Sequence, residues 1–253
     1  MKIAIICSKV TFVPNNYMPF ITKAINELNK LDIEVHLIIS QNNSLEYVKK
    51  GALLFLAGAR DCGLELMKNE LQTRLSCPKE QYAKQSKISF IKVSNLNSDM
   101  TLNYIREKKI DLLVNARTRT IFKKRLLKIA PLGAINIHHG LLPKDRGTLC
   151  DLYEIAENRD AGFSIHKMSE KLDDGEILKT YCVQGAESEN KDFKQYQLKS
   201  MHDEANQLIN LIKETIELKT LPTGHHNTHE EIRYYKTPNL KTIRSLLEKG
   251  IKI

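Results

Sequence analysis

Between Lys2 and His138, short runs of isoleucine, valine and leucine alternate with stretches whose apolar residues recur at every third or fourth position. The spacing predicts strands over Lys2 to Cys7, Ile33 to Ser40, Ile88 to Val93, Asp111 to Ala116 and Gly133 to His138. It predicts helices over Asn16 to Lys30, where Phe20, Ile21, Ala24, Ile25 and Leu28 share a face, and over Asp99 to Lys108 and Phe122 to Ile129. Residues 45 to 75 read as helices interrupted at Gly51, Gly58 and Gly63. A strand that must run parallel to its predecessor needs a helical crossover, so this alternation implies an α/β fold. Its centre is an open, twisted, mostly parallel sheet flanked by helices. Residues 160 to 183 read as two strands joined by a turn at Asp173-Asp174-Gly175. Leu198, Met201, Ala205, Leu208, Ile209, Ile212 and Ile216 then form one stripe of a long helix, which Pro222 and Gly224 end.

Ligands in open parallel sheets bind beyond the carboxyl ends of the strands. Asn136 and His138 fall at such an end, two residues apart and therefore on one side of their strand. The sequence continues His139-Gly140-Leu141-Leu142-Pro143-Lys144-Asp145-Arg146-Gly147, and Asp173 lies downstream in Leu172-Asp173-Asp174-Gly175-Glu176-Ile177. An amide, an imidazole and a carboxylate together can polarise a carbonyl, stabilise an oxyanion and move a proton, without a metal or a covalent nucleophile. The fragment after the first strand, Ser8-Lys9-Val10-Thr11-Phe12-Val13, carries no G-x-G-x-x-G, and no GxxxxGK[ST] occurs. A nicotinamide-dependent dehydrogenase or a nucleotidase is disfavoured on that ground.

These motifs resemble the folate-dependent formyltransferase family, in which a strand reading N-I-H precedes a loop close to P-S-L-L-P-x-x-R-G and a later hairpin reads D-x-G-x-I. Asn136, His138, Leu141, Leu142, Pro143, Arg146, Gly147, Asp173, Gly175 and Ile177 fit that pattern, and Gly162-Phe163-Ser164-Ile165-His166-Lys167-Met168 fits the family's G-x-T-x-H-x-M strand. His139 and Gly140 depart from it, standing where the family has Pro and Ser. The resemblance implies a formyltransferase-type Rossmann-like domain over residues 1–220, with residues 221–253 a small C-terminal extension packed on it. It implies transfer of a formyl group from 10-formyltetrahydrofolate to a primary amine, with Asn136, His138 and Asp173 catalytic. It places the folate against Asn115, Arg117, Thr118, Arg119, Thr120, Ile121 and Ala134, and the acceptor near His139, Gly140 and Arg146. His139 is open between a structural role and acceptor contact, and Arg146 between holding an anion and pinning its loop. Hydrolysis of 10-formyltetrahydrofolate and non-catalytic folate or nucleotide binding are the alternatives.

Composition bounds the partners. A net charge of +9 over 253 residues favours an anionic small acceptor, here expected to be a phosphorylated or nucleotide-linked amino sugar. No basic run interleaved with aromatics supports nucleic-acid binding, although a tRNA acceptor and a homodimer stay open. No apolar run reaches the length of a membrane span. Five cysteines without a C-x-x-C pair suit a reducing cytoplasm; Cys7 and Cys182 are expected to be buried, and Cys150 to lie near the site with no activating partner. His225, His226 and His229 are read as a polar loop rather than a metal site, so no metal is expected.

Overall fold

The computed structural model describes residues 1–42, 45–185 and 191–253. Strands β1 (Lys2–Ser8), β2 (Glu34–Ser40), β3 (Phe90–Val93), β4 (Leu112–Asn115) and β5 (Ala134–His138) pair in parallel. Counting β6 (Asp145–Gly147), which lies outside this sheet, β7 (Gly162–Lys167) and β8 (Ile177–Cys182) follow antiparallel, giving the order β3-β2-β1-β4-β5-β7-β8. Helices fill the crossovers: α1 (Met18–Asn29), α2 (Leu45–Leu56), α3 (Arg60–Leu75), α4 (Pro78–Gln85), α5 (Asp99–Lys108) and the short α6 (Lys124–Leu127). The α1 face is the one expected, with Phe20, Ile21, Ala24, Ile25 and Leu28 all buried.

Central strands are apolar on both faces because both are covered. Ile3, Ile5 and Cys7 point into the larger core; Ala4 and Ile6 point into the smaller one, shared with Ile38, Leu113, Phe122 and Leu126. On the larger face lie α1 and α8 (Phe193–Leu218), with α7 (Cys150–Ala156) following the β6 loop. The fold thus leaves the carboxyl ends of β1, β4 and β5 uncovered by strand.

Three expectations need correction. The glycines of residues 45–75 do not all break helix: only Gly58 lies between α2 and α3, whereas Gly51 and Gly63 lie inside them. A Cβ on Gly63 would stand 2.5 Å from the Gly51 carbonyl oxygen, so both are needed for the close helix contact. Helix α6 is only four residues long, because residues 116–123 form the loop that leaves β4. Cys182 is exposed rather than buried, since β8 is the edge strand and its outer face meets solvent, while Cys7 is fully buried.

The last residues join the main body in two ways. Strand β9 (Arg233–Tyr235) pairs in parallel with β6, and Tyr235 stacks on Tyr153 with ring centroids 4.4 Å apart. Helix α9 (Leu240–Glu248) places Ile243 and Leu246, with Ile251 and Ile253 beyond it, in the larger core.

Candidate active site

One cavity of about 710 Å³ opens at the strand ends. It is lined by Asn115, by residues 117–122, and by Asn136, His138, His139, His166 and Asp173. Ala134, Gly140 and Arg146 do not line it. Ala134 faces the smaller core, and a side chain on Gly140 would collide with Cys150. Arg146 is 4% exposed; it donates to Asp174 Oδ1 at 3.1 Å and, through its other terminal nitrogen, to Asn227 O at 2.6 Å and Oδ1 at 3.2 Å.

A directed chain of hydrogen bonds sets the Asn136 amide. Thr118 Oγ1 donates to Asn115 Oδ1 at 2.6 Å, and Asn115 Nδ2 donates to Asn136 Oδ1 at 2.8 Å. Asn136 Nδ2 is 3.1 Å from His166 Nε2, while His166 Nδ1 is 2.8 Å from the Lys167 carbonyl oxygen. A carbonyl only accepts, so Nδ1 of His166 carries the proton and Nε2 accepts from Asn136. The Asn136 oxygen is therefore turned away, and its second N–H is left for a cavity ligand.

His138 lies between two acceptors. Its Nε2 donates to the Asp145 carbonyl oxygen at 2.8 Å, and its Nδ1 faces Asp173 Oδ1 at 3.5 Å. Burial holds its pKa below the ordinary histidine value, against the attraction of Asp173. The ring is thus neutral at rest, with a vacant Nδ1 that gains a stabilising partner as soon as it takes a proton. Burial opposes ionisation of Asp173 as well, but the Gly147 N–H donates to its Oδ2 at 3.1 Å, and a proton on His166 or His138 lowers the carboxyl further. Asp173 has φ +49, a conformation that its turn fixes from outside: Asn227 Nδ2 donates to the carbonyls of Asp173 at 2.8 Å and Gly175 at 2.9 Å.

Beside this centre lies a buried charge cluster. Glu204, on α8, is fully buried and accepts from Ser200 Oγ at 2.7 Å and from the Tyr17 hydroxyl. Arg117 stands 3.5 Å and His139 Nδ1 3.3 Å from its Oε1, and the guanidinium lies over the Tyr17 ring, 5.0 Å from the centroid. Despite burial, the Glu204 carboxyl is held at about 2 by His139 when that ring is protonated and by Arg117; with His139 neutral, Arg117 and the Tyr17 hydroxyl are what keep it ionised. Burial, and then the Arg117 charge, press His139 down to about 4.

His166, Glu204 and Asn227 carry weight that motif reading did not assign. His166 stood inside a quoted motif. Glu204 is signalled by its place on an otherwise apolar helix stripe, between Met201, Ala205 and Leu208, where an acid is rarely buried unpaired. Asn227 sits among the histidines of a loop that reads only as polar. Cys150 is buried against Gly140, and burial with Asp151 and Glu154 pushes its thiol well up, so it is no thiolate. His225 pairs its backbone with Ile177, and among the described residues no three His, Cys, Asp or Glu side chains converge as metal ligands.

The solved structure of a sugar N-formyltransferase from Shewanella has 18% identity and a TM-score of 0.58, covering 98% of this chain and 87% of its own. A 4-N formyltransferase from Francisella tularensis gives 18%, 0.59 and the same coverage. By sequence, methionyl-tRNA formyltransferase from Staphylococcus aureus is 29% identical over 157 residues, 61% of this chain and 47% of the relative. The bifunctional polymyxin resistance protein ArnA of Wigglesworthia glossinidia brevipalpis is 33% identical over 98 residues, 38% of this chain and 15% of that protein. The chain thus spans half or less of the length of these curated relatives. No helix among the described residues is long and apolar enough to cross a membrane. The model of the formyl transferase family matches residues 1–212, so the chain belongs to that family.

Proposed function

We propose that this chain transfers a formyl group from 10-formyltetrahydrofolate to a primary amine. The observation that carries the reading is the fixed orientation of Asn136, one N–H spent on His166 and the other left to the cavity beside His138 and Asp173. A donor held in place by other side chains can meet the formyl oxygen as it gains charge, with little reorganisation.

The residues present fit the folate. The loop from Arg117 to Phe122 and the segment from Met168 to Asp173 form one lobe of the cavity. Ile121 and Leu172, 56% and 67% exposed, offer apolar edges suited to a flat aryl group, with Arg119 and Lys171 beside them for its carboxylates. Asn97 Nδ2 donates to the Ile121 carbonyl at 2.9 Å and holds this loop. The bound folate supplies the activated formyl carbon.

The amine nitrogen attacks that carbon, and Asn136 donates to the developing oxyanion. His138 takes the amine proton on Nδ1, where Asp173 and the Asp145 carbonyl stabilise the imidazolium. The same proton is then available to the departing folate nitrogen, as the C–N bond to the folate breaks and tetrahydrofolate leaves. The enzyme contributes mainly positioning and oxyanion stabilisation.

We read the acceptor as a small amine; a sugar is the acceptor class named for the Shewanella structure above. The test is absorbance-monitored loss of the formyl group from 10-formyl-5,8-dideazafolate. The acceptors are nucleotide-linked amino sugars, glycinamide ribonucleotide, initiator Met-tRNA, straight-chain alkylamines and a no-acceptor control. Turnover that needs an amine and is lost in Asn136→Ala supports the reading. Turnover with water alone makes the chain a hydrolase, and absence of turnover with every acceptor sinks the reading.

A further inference from the structure

The apolar lining of the cavity divides between the two faces of the sheet, and the two parts, on either side of Asn136 and His138, are called its first and second lobe. Phe122 and Met168, of the first lobe, belong to the smaller core. The second lobe lies on the other face, where Phe12, Leu54, Leu66, Leu152, Phe193 and Ile243 line it. Two large apolar side chains stand at its mouth, Leu53 of α2 and Leu240 of α9, 60% and 55% exposed. An apolar wall continued by an exposed apolar rim is the signature of a binding surface.

The loop that follows β1 gives an independent indication. In parallel α/β sheets this loop and the helix after it cradle phosphate with free backbone N–H groups. Here three of those donors are spent inside the protein. The N–H of Lys9 goes to the Ser40 carbonyl at 2.8 Å, that of Val10 to Asn42 Oδ1 at 3.0 Å, and that of Thr11 to Asn16 Oδ1 at 2.9 Å. Lys79, the fully buried cation beside the loop, donates to the carbonyls of Ser8 at 2.8 Å and Lys9 at 3.2 Å. Helix α1 begins after three left-handed residues, Asn15, Asn16 and Tyr17, and Pro19 in its first turn has no N–H. Of the other cations, Lys50 sits over the Tyr47 ring, and Arg117 is engaged by Glu204 and His139.

We infer that the acceptor amine is carried on an apolar body, an alkyl or aryl group that fills the second lobe, and not on a phosphorylated or nucleotide-linked one. This rests on the formyl-transfer reading, which assigns the first lobe to the folate and leaves the second to the acceptor. The reaction balances as before: the amine gains the formyl carbon and loses one proton, and tetrahydrofolate gains that proton. The net charge of +9 then belongs to the outer surface rather than to the acceptor lobe.

The test uses the full chain with 10-formyl-5,8-dideazafolate and straight-chain primary amines from propyl to octyl, with 4-phenylbutylamine and a UDP-linked amino sugar alongside. Binding is read separately by the fluorescence of dansylated diamines of matching lengths. Each methylene that enters the lobe is expected to raise kcat/KM, and to tighten dansyl binding, about three- to fourfold until the lobe is full. Leu53→Ser and Leu240→Ser, at exposed positions that leave the core intact, are expected to flatten that dependence. If the UDP-linked sugar is formylated efficiently and the alkyl series shows no dependence on length, the inference is overturned while formyl transfer stands. If binding depends on length but no amine is formylated, the formyl-transfer reading falls and the apolar lobe stands. Binding without length dependence, together with no turnover, overturns the inference as well.

Discussion

Replacing Glu204 by Gln removes one negative charge from a site that solvent does not reach. The side chain keeps its shape and can still accept from Ser200 or Tyr17, so what is lost is the charge that faces Arg117, whose own side chain is 7% exposed. Two routes give the size of the loss. Holding the carboxyl at about 2 rather than 4.5 corresponds to at most about 3 kcal/mol in favour of the folded, ionised state, since part of that depression needs a charged His139. Leaving one member of a buried ion pair without its partner typically costs about 3–5 kcal/mol. Urea unfolding of E204Q at pH 7, followed by circular dichroism, is therefore expected to show a stability about 3 kcal/mol below the parent. Because the carboxyl's folded pKa is depressed, its contribution is complete above about pH 4.5 and lost as the pH falls toward 2. The mutant should lack that acid limb. The double variant E204L/R117M, with both charges gone and apolar volume in their place, should lose less than E204Q alone. A loss below about 1 kcal/mol in E204Q would refute the claim that this pair is electrostatically committed.

Asn136→Ala is expected to lower kcat about 100- to 1000-fold while leaving the urea midpoint nearly unchanged; a drop under tenfold would remove the amide from the oxyanion role. Asn227→Ala frees the carbonyls of Asp173 and Gly175 and unpins Arg146, and should cut kcat/KM about ten- to a hundredfold although Asn227 does not line the cavity. His139 is held neutral in the fold, at about 4, but takes a proton near 6.5 when unfolded. Stability should accordingly fall as pH drops from 7 toward 4, and H139Q should flatten that slope in pH-dependent urea titrations. Gly63→Ala drives a methyl toward the Gly51 carbonyl and the Phe55 N–H, so α2 must shift. Thermal unfolding should report a loss of about 2 kcal/mol.

What was legible in the sequence follows from period and position. The five parallel strands and the α1 face could be read because a strand covered on both faces must be apolar throughout, and a helix against it must repeat near 3.6. Asn136 and His138 could be placed because a strand end fixes the side to which they point. What could not be read depends on partners distant in the chain. Whether Arg146 holds a ligand or a loop is decided by Asn227, 81 residues on, and the orientation of the Asn136 amide by Asn115 and His166. Helices α4 and α7, eight and seven residues long, are too short to carry a periodic apolar run that the sequence would reveal. The exposure of Cys182 depends on the strand order, which no local pattern specifies.

The pairing of β9 with β6 bears on the order in which the site is assembled as the chain emerges. A chain that has emerged as far as residue 212 already holds Asn136, His138 and Asp173, and all seven strands of the main sheet. Yet β6, whose Asp145 carbonyl anchors His138, still lacks its strand partner, and the turn bearing Asp173 still lacks Asn227. The geometry around His138 and Asp173 is closed only by Asn227 and by β9, which follow residue 212 in the chain. A product terminated near residue 212 would carry every recognisable motif without the contacts that fix His138 and the Asp173 turn, so the presence of the motifs alone does not report an assembled site.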